Sequence, residues 1–220
     1  MTEFEGVEER FSVNQLNSES NYKPNYNVAP TQDIAVIINN GSNFLGMYKW
    51  GLIPFWAKDP TIGHKMINAR AETLEEKTSF KVNLQRKRCL VVADGFYEWK
   101  KEGRTKRPYR ITLKNQELFG FAGLWDTWKS STGDIINSCT IITTSSNEVM
   151  APLHNRMPVI LSKEVEQIWL DPSIVDSYFL KSLLLPFPAN QMIPYEVSSR
   201  VNSVKNNGPE CIEPVLPNLF

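Results

Sequence analysis

Residues 89–100 have the sequence CLVVADGFYEWK, in which two short β-branched or aromatic runs are separated by a turn containing Gly95. Such runs favour extended backbone, so this stretch predicts strands at Cys89–Ala93 and Phe96–Lys100. Five further runs of the same kind are bounded by Gly, Asn, Pro or charged residues: Asp33–Ile38, Leu45–Trp50, Tyr109–Leu113, Leu118–Leu124 and Ser138–Thr144. The middle of the chain is therefore expected to form a sheet-rich core.

Helical spacing of apolar residues is confined to the flanks of this core. It predicts four helices: Glu3–Val13, Asn147–Leu153, Ser162–Leu170 and Ser177–Leu185. Strands and helices do not alternate regularly, which indicates an α+β fold rather than βαβ units. No repeat or linker divides residues 1–220, so a single domain is expected, with an irregular tail at residues 208–220.

Composition narrows the class of protein. The 220 residues carry no formal net charge, and 41% of them are hydrophobic, which suffices for a sizeable core. Apolar stretches fall far short of the roughly 20 residues that a membrane helix needs. With two histidines and three scattered cysteines, neither a zinc site nor a disulfide framework is expected. We predict a cytoplasmic protein with reduced thiols that needs no metal and no cofactor and does not bind membranes.

The neutral total hides an uneven distribution of charge. Residues 1–33 hold six acidic side chains against two basic ones, whereas residues 100–110 hold six basic side chains against Glu102 alone. A solvated hairpin loop and a phosphate-contacting surface are both compatible with the second pattern.

Two side chains are candidates for proton transfer. Strand alternation places Glu98 on the same face as Phe96, with Tyr97 and Trp99 on the other, so its carboxylate has apolar neighbours. A partly desolvated carboxylate suits a group that accepts and returns a proton. His154 follows a predicted helix and precedes a buried run, where a histidine is placed to face a cleft. A strand-edge Glu in water and a structural His are the alternatives.

The cysteines have a structural interpretation. Cys89 and Cys139 each precede an apolar strand and are expected in the core, where a thiol has little thiolate character. A thiol peptidase that uses Cys89 with His154 is therefore the weaker hypothesis.

Four short motifs in fixed order carry a family resemblance: WGLIP at 50–54, NARAE at 68–72, GFYEW at 95–99 and HNRMP at 154–158. Together they resemble the SOS-response-associated peptidase (SRAP) family, whose members protect abasic sites in single-stranded DNA. The resemblance runs from about Phe11 to Asn207. It implies one SRAP-like domain with a barrel-like mixed sheet core and flanking helices.

The resemblance also implies roles for individual residues. Glu98 would be the acid/base, His154 would act at the sugar ring oxygen, and Asn68 would position the sugar. Arg70 would bind a flanking phosphate, and Arg156 is a second candidate, although a buried ion pair explains it equally well. The remaining DNA contacts implied by the resemblance lie in two loops: Pro30, Trp50, Gly51, Leu52, Pro54 and Trp56.

The family nucleophile has no counterpart in this chain. The family pattern begins Cys-Gly-Arg after the initiator Met, and the amine and thiol of that Cys close a thiazolidine on the sugar aldehyde. This chain begins Met1-Thr2-Glu3-Phe4, which fits either a start site assigned too far downstream or a divergent paralogue. Because Asn68, Glu98 and His154 are retained together, we favour the first.

The expected function is recognition of abasic sites in single-stranded DNA by a monomer that associates with the nucleoid when bound. Covalent cross-linking and removal of its own Met are expected only if an upstream Cys exists. The alternative is a single-stranded DNA binding module without chemistry.

Overall fold

The computed structural model describes residues 4–13, 15–16 (backbone only) and 22–215. Eleven strands are present within these ranges: β1 Gln15–Leu16, β2 Asp33–Asn39, β3 Asn43–Trp50, β4 Asn68–Arg70, β5 Arg88–Ala93, β6 Phe96–Glu102, β7 Thr105–Leu113, β8 Phe119–Lys129, β9 Ile135–Ser145, β10 Arg156–Pro158 and β11 Met192–Glu196. The four α-helices are α1 Phe4–Phe11, α2 Thr78–Arg86, α3 Lys163–Leu170 and α4 Ser177–Ser182. Short 3-10 helices occupy Pro60–Lys65, Ala71–Thr73, Ala189–Gln191, Ser199–Asn202 and Pro209–Cys211.

Five strands close into a barrel. β3, β2, β5, β8 and β9 pair antiparallel in that order, and β9 returns to β3 in parallel through Lys49↔Ser138 and Trp50↔Cys139. A separate sheet contains β11, β7 and β6. The predicted α+β class with a barrel-like core is confirmed, as are all seven predicted strands.

Two apolar clusters hold these layers together. Alternate residues of a barrel strand pack in opposite directions: Ala35 and Ile37 join the cluster shared with the helices, whereas Ile34 and Val36 join the cluster shared with the three-stranded sheet. Both faces of the barrel strands are thus packed against apolar residues. The residues of the candidate site lie at the barrel rim.

One predicted helix is wrong. Residues 148–153 form consecutive turns, although the Ala151 amide donates to the Asn147 carbonyl (2.9 Å) and the His154 amide to the Met150 carbonyl (2.9 Å), as in isolated helical turns. Pro152 lacks an amide proton and disfavours helical backbone at Ala151, so the helix does not continue.

The C-terminal end differs from the expectation, whereas the expectation for the N-terminal end is not tested. At the C-terminal end, residues 208–215 contain a 3-10 helix and an isolated β-bridge between Val197 and Pro214. Residues 216–220 lie outside the described part of the chain. At the N-terminal end, Met1, Thr2 and Glu3 also lie outside it, and with them the expectation about the nucleophile.

Candidate nucleic-acid cleft

A cavity of about 820 Å³ opens where β4, β6 and β10 meet at the barrel rim. β4 runs parallel to β9 and pairs Arg70 with Thr143, while β10 runs antiparallel to β9 and pairs Arg156 with Ser145. Both strands therefore deliver their polar side chains to the same end of β9. β6, which begins after the Asp94-Gly95 turn that follows β5, contributes Glu98.

The turn into β6 needs a glycine. A Cβ on Gly95 would lie 2.9 Å from the Arg110 guanidinium, which is closer than packed atoms approach. Arg110 is itself buried, forms an ion pair with Asp94 (3.0 Å) and donates to the Tyr195 hydroxyl (2.8 Å). Gly95 and Arg110 thus fix the position at which β6 enters the cavity wall.

The eleven predicted site residues fall into two groups by position. The residues that line the cavity are Pro30, Trp50, Asn68, Arg70, Glu98, His154 and Arg156. Gly51, Leu52, Pro54 and Trp56 do not line it: Leu52 has no exposed surface, Gly51 and Pro54 are buried, and Trp56 is half exposed elsewhere. The chain leaves the cavity wall directly after Trp50, where Gly51 has a φ of 134°.

Glu98 is half-buried, and its Oε1 accepts a hydrogen bond from the Trp99 amide (3.0 Å). This bond orients the carboxylate. Its Oε2 makes no hydrogen bond to the protein within the described residues, so it is available to a ligand in the cavity.

His154 lies in the segment that precedes β10. Its side chain is exposed, and backbone atoms of Arg156 hold the ring. The Arg156 amide donates to Nδ1 (3.1 Å), and the Arg156 carbonyl lies 3.2 Å from the same nitrogen. A neutral ring accepts the first bond and carries its proton on Nε2, whereas a protonated ring can donate from Nδ1 to the carbonyl. These backbone contacts at Nδ1 hold the orientation of the ring and leave Nε2 without a bond to any described residue.

The two arginines differ in their partners. Arg156 donates to both carboxylate oxygens of Glu72 (3.2 and 2.9 Å) and to the Thr143 carbonyl (2.6 Å). These bonds from Arg156 hold the pKa of Glu72 below its usual value. Arg70 is exposed and makes no ion pair with any described residue. The guanidinium of Arg70 is accordingly the one with donors free for an external anion.

Asn68 and Trp50 complete this wall. Asn68 is exposed and lines the cavity, whereas the next residue, Ala69, is buried. The Trp50 indole donates to the Ile67 carbonyl (2.9 Å), which fixes the ring beside Asn68. Half-buried Trp50 and exposed Pro30 give the cavity an apolar side opposite its polar one.

A second asparagine, Asn27, is not among the predicted site residues, although it belongs to the same loop as Pro30. Asn27 is buried, and its side-chain amide donates to the carbonyls of Val201, Ser203 and Asn206 (3.2, 3.1 and 3.0 Å). It fastens the C-terminal segment 199–211 along the cavity rim. The NYNVAP stretch at 25–30 gave no hint of this partner, because the contact spans more than 170 residues.

The cavity wall carries more positive than negative charge. It includes five cationic side chains, Lys23, Arg70, Lys106, Arg110 and Arg156, against three carboxylates, Asp33, Asp94 and Glu98. Such a surface attracts phosphate groups.

The thiols are placed away from this chemistry. Cys89, Cys139 and Cys211 are free and buried, and none of them lines the cavity. Burial raises the pKa of the Cys89 thiol well above its usual value, which opposes thiolate formation. The Cys89 peptidase hypothesis therefore has no support in the geometry.

Among the described residues, no three His, Cys, Asp or Glu side chains are grouped as a metal would require. Over the same part of the chain, no helix has the length and apolarity to cross a bilayer.

Known proteins resemble this chain in both sequence and structure. A family model described as SOS response associated peptidase (SRAP) matches residues 1–204. Abasic site processing protein YoqW of Bacillus subtilis is 55% identical over 214 residues, which is 96% of each chain. Abasic site processing protein HMCES of Xenopus tropicalis is 33% identical, over 89% of this chain and 67% of its own. A crystal structure of a protein from Bacteroides thetaiotaomicron superimposes with a TM-score of 0.78 at 35% identity, over 84% of this chain and 82% of that one.

Proposed function

The chain belongs to the SOS response associated peptidase (SRAP) family, and we propose that it recognises abasic sites in single-stranded DNA through the cleft between β4, β6 and β10. The observation that carries this proposal is the grouping of Asn68, Arg70, Glu98 and His154 around one positively charged cavity. Its relatives YoqW and HMCES bear the name abasic site processing protein.

Each residue receives a role from its surroundings. Arg70 binds a phosphate that flanks the lesion, because its guanidinium is exposed and makes no ion pair with a described residue. Arg156 supports the wall through Glu72 and Thr143 instead of binding DNA directly. Trp50 and Pro30 pack against a neighbouring base, for which base stacking on an aromatic ring contributes about 1–3 kcal/mol.

Glu98 and His154 act on the sugar. Opening of the closed abasic sugar transfers a proton to its ring oxygen as the bond to C1 breaks, while the C1 hydroxyl loses its proton. Glu98 on β6 and His154 before β10 line the same cavity. Glu98 serves as the acid/base through its free Oε2, and His154 through Nε2, while Asn68 orients the sugar. In this form the chain binds DNA without a durable bond, and a thiazolidine forms only where an N-terminal Cys is supplied. The protein works as a monomer in the cytoplasm and associates with the nucleoid when bound.

Binding to three labelled oligonucleotides tests the proposal. The probes are a single strand with one tetrahydrofuran abasic analogue, the same strand with an intact base, and the corresponding duplex. Fluorescence anisotropy should give the abasic strand about ten-fold tighter binding than the intact strand, or about 1.4 kcal/mol. An intact base would have to enter the space that Asn68, Glu98 and His154 surround.

Equal affinity for the two single strands would contradict the proposal and support a single-stranded DNA binding module without chemistry. In that alternative Glu98→Gln, which preserves side-chain size, would change nothing measurable. With a natural abasic site, we expect Glu98→Gln to retain binding and to lose any slow strand scission that the wild-type chain shows on a denaturing gel.

A further inference from the structure

The basic stretch at residues 100–110 resolves into paired and unpaired charges. Arg107 donates to both carboxylate oxygens of Glu196 and to Glu102 (3.3 Å to the latter). Lys100 also pairs with Glu102 (2.7 Å), and Arg110 pairs with Asp94 inside the cavity wall. Three of the six cations are therefore already compensated by the protein.

The other three cations have no carboxylate partner among the described residues. Lys101, Arg104 and Lys106 are all exposed. Lys101 lies directly opposite Lys106 in the β6–β7 register, and like charges that face each other across a strand pair are destabilising. Arg104 follows the turn residue Gly103, whose φ is 61°. We name this end of the hairpin, residues 101–106, the hairpin tip.

The hairpin tip is continuous with the cleft. Lys106 lines the cavity that also contains Glu98. From the Glu98↔Tyr109 pair to the Glu102↔Thr105 pair the hairpin extends by four residues, which is about 13 Å at 3.3 Å per residue. Side chains alternate along the strands, so Lys101 and Lys106 lie on the same face of the hairpin as Trp99. The Trp99 indole donates to the side chain of Asn202 (2.8 Å), which belongs to the segment along the cavity rim.

We propose that the hairpin tip is a second phosphate-contacting surface, which holds the DNA strand as it leaves the cleft. Lys101, Arg104 and Lys106 contact successive phosphates outside the abasic nucleotide, whereas the ion-paired Lys100 and Arg107 shape the hairpin. The inference rests on the proposed function, since it takes the occupant of the cleft to be a DNA strand.

The test is a variant with Lys101→Gln, Arg104→Gln and Lys106→Gln together. Binding is measured by anisotropy to two abasic single strands, one of five nucleotides with the lesion in the centre and one with twelve nucleotides on each side. On the long strand we expect the affinity of the triple variant to be about ten-fold lower at low salt. The slope of log affinity against log salt concentration should be smaller by about 2, because each phosphate contact on a single strand contributes about 0.7. On the short strand we expect a loss of no more than about two-fold.

Lys100→Gln is the matched control, because it removes one positive charge from the same hairpin at a residue that the protein already pairs. It should leave the salt slope for the long strand unchanged. Thermal unfolding of both variants verifies that the exposed substitutions preserve the fold.

An unchanged slope for the triple variant, with abasic preference intact, would overturn the hairpin inference and leave the proposed function standing. Equal losses on the long and short strands would also overturn it, since a general field effect does not depend on strand length. If the wild-type protein shows no preference for the abasic strand, that separate result would contradict the proposed function itself.

Discussion

With single-stranded DNA that carries a natural abasic site, joining an eight-residue extension that begins Met-Cys-Gly-Arg to Thr2 is expected to give a protein–DNA band. This band should survive heating on a denaturing gel. The chain as given is expected to give none. An amine and a thiol on one terminal residue close a five-membered thiazolidine on the sugar aldehyde, whereas an amine alone forms a Schiff base that hydrolyses. Eight extended residues reach up to about 27 Å, and the cavity extends to Tyr22, whose ring contacts Phe4 of α1.

The matched control carries Met-Ser-Gly-Arg in the same extension. It keeps the amine and loses the thiol, so its adduct should appear only after borohydride reduction. Mass spectrometry of each protein verifies that the initiator Met has been removed. A heat-stable band from the unextended chain, or an equal band from the Ser control, would show that another group traps the sugar.

Replacement of Arg88 by methionine is expected to lower the free energy of unfolding by about 3 kcal/mol or more. Arg88 is 6% exposed, and its guanidinium donates to the carbonyls of Trp169, Leu84, Gln85 and Asp171. Methionine fills a similar volume but leaves those carbonyls without a donor, and a buried polar group left unpaired costs about 1–3 kcal/mol. Urea unfolding followed by tryptophan fluorescence measures the change.

Arg86→Met is the control for this substitution, because Arg86 ends the same helix but is exposed. It should change stability by less than about 0.5 kcal/mol. If the two variants unfold at the same urea concentration, the carbonyls around Arg88 are satisfied by water and the residue does not join α2 and α3 to β5. That junction matters for the cleft, since the far end of β5 leads into the Asp94-Gly95 turn.

Strands with dense β-branched or aromatic residues were predictable because extended pairing and burial both favour the same residue types. α2 was missed because its buried face includes Asn83, whose amide donates to the Trp125 carbonyl (2.7 Å). A polar residue on the inner face removes the apolar repeat that indicates a helix. The false helix at residues 147–153 has the opposite cause, since apolar spacing continued past a proline that the backbone could not accommodate.

The motifs placed eleven residues at one site, but they gave no indication that only seven of these residues line the cavity. The WGLIPFW run gives no local signal that only Trp50 faces the cavity, because the departure of the chain depends on Gly51 packing against Gly63, 2.6 Å from where a Cβ would stand. Likewise, Arg156 meets Glu72 across 84 residues. Contacts of this range depend on strand pairing, and a single sequence does not display them.

Charge reversal at Arg70 tests most directly whether the abasic strand is bound in this cleft. Arg70→Glu and Arg86→Glu make the same change in net charge, but only Arg70 lines the cavity. We predict that Arg70→Glu weakens binding of the abasic single strand about thirty-fold, or about 2 kcal/mol, and that Arg86→Glu weakens it less than about two-fold. Equal effects of the two substitutions, or none from Arg70→Glu, would mean that DNA binds elsewhere on the protein.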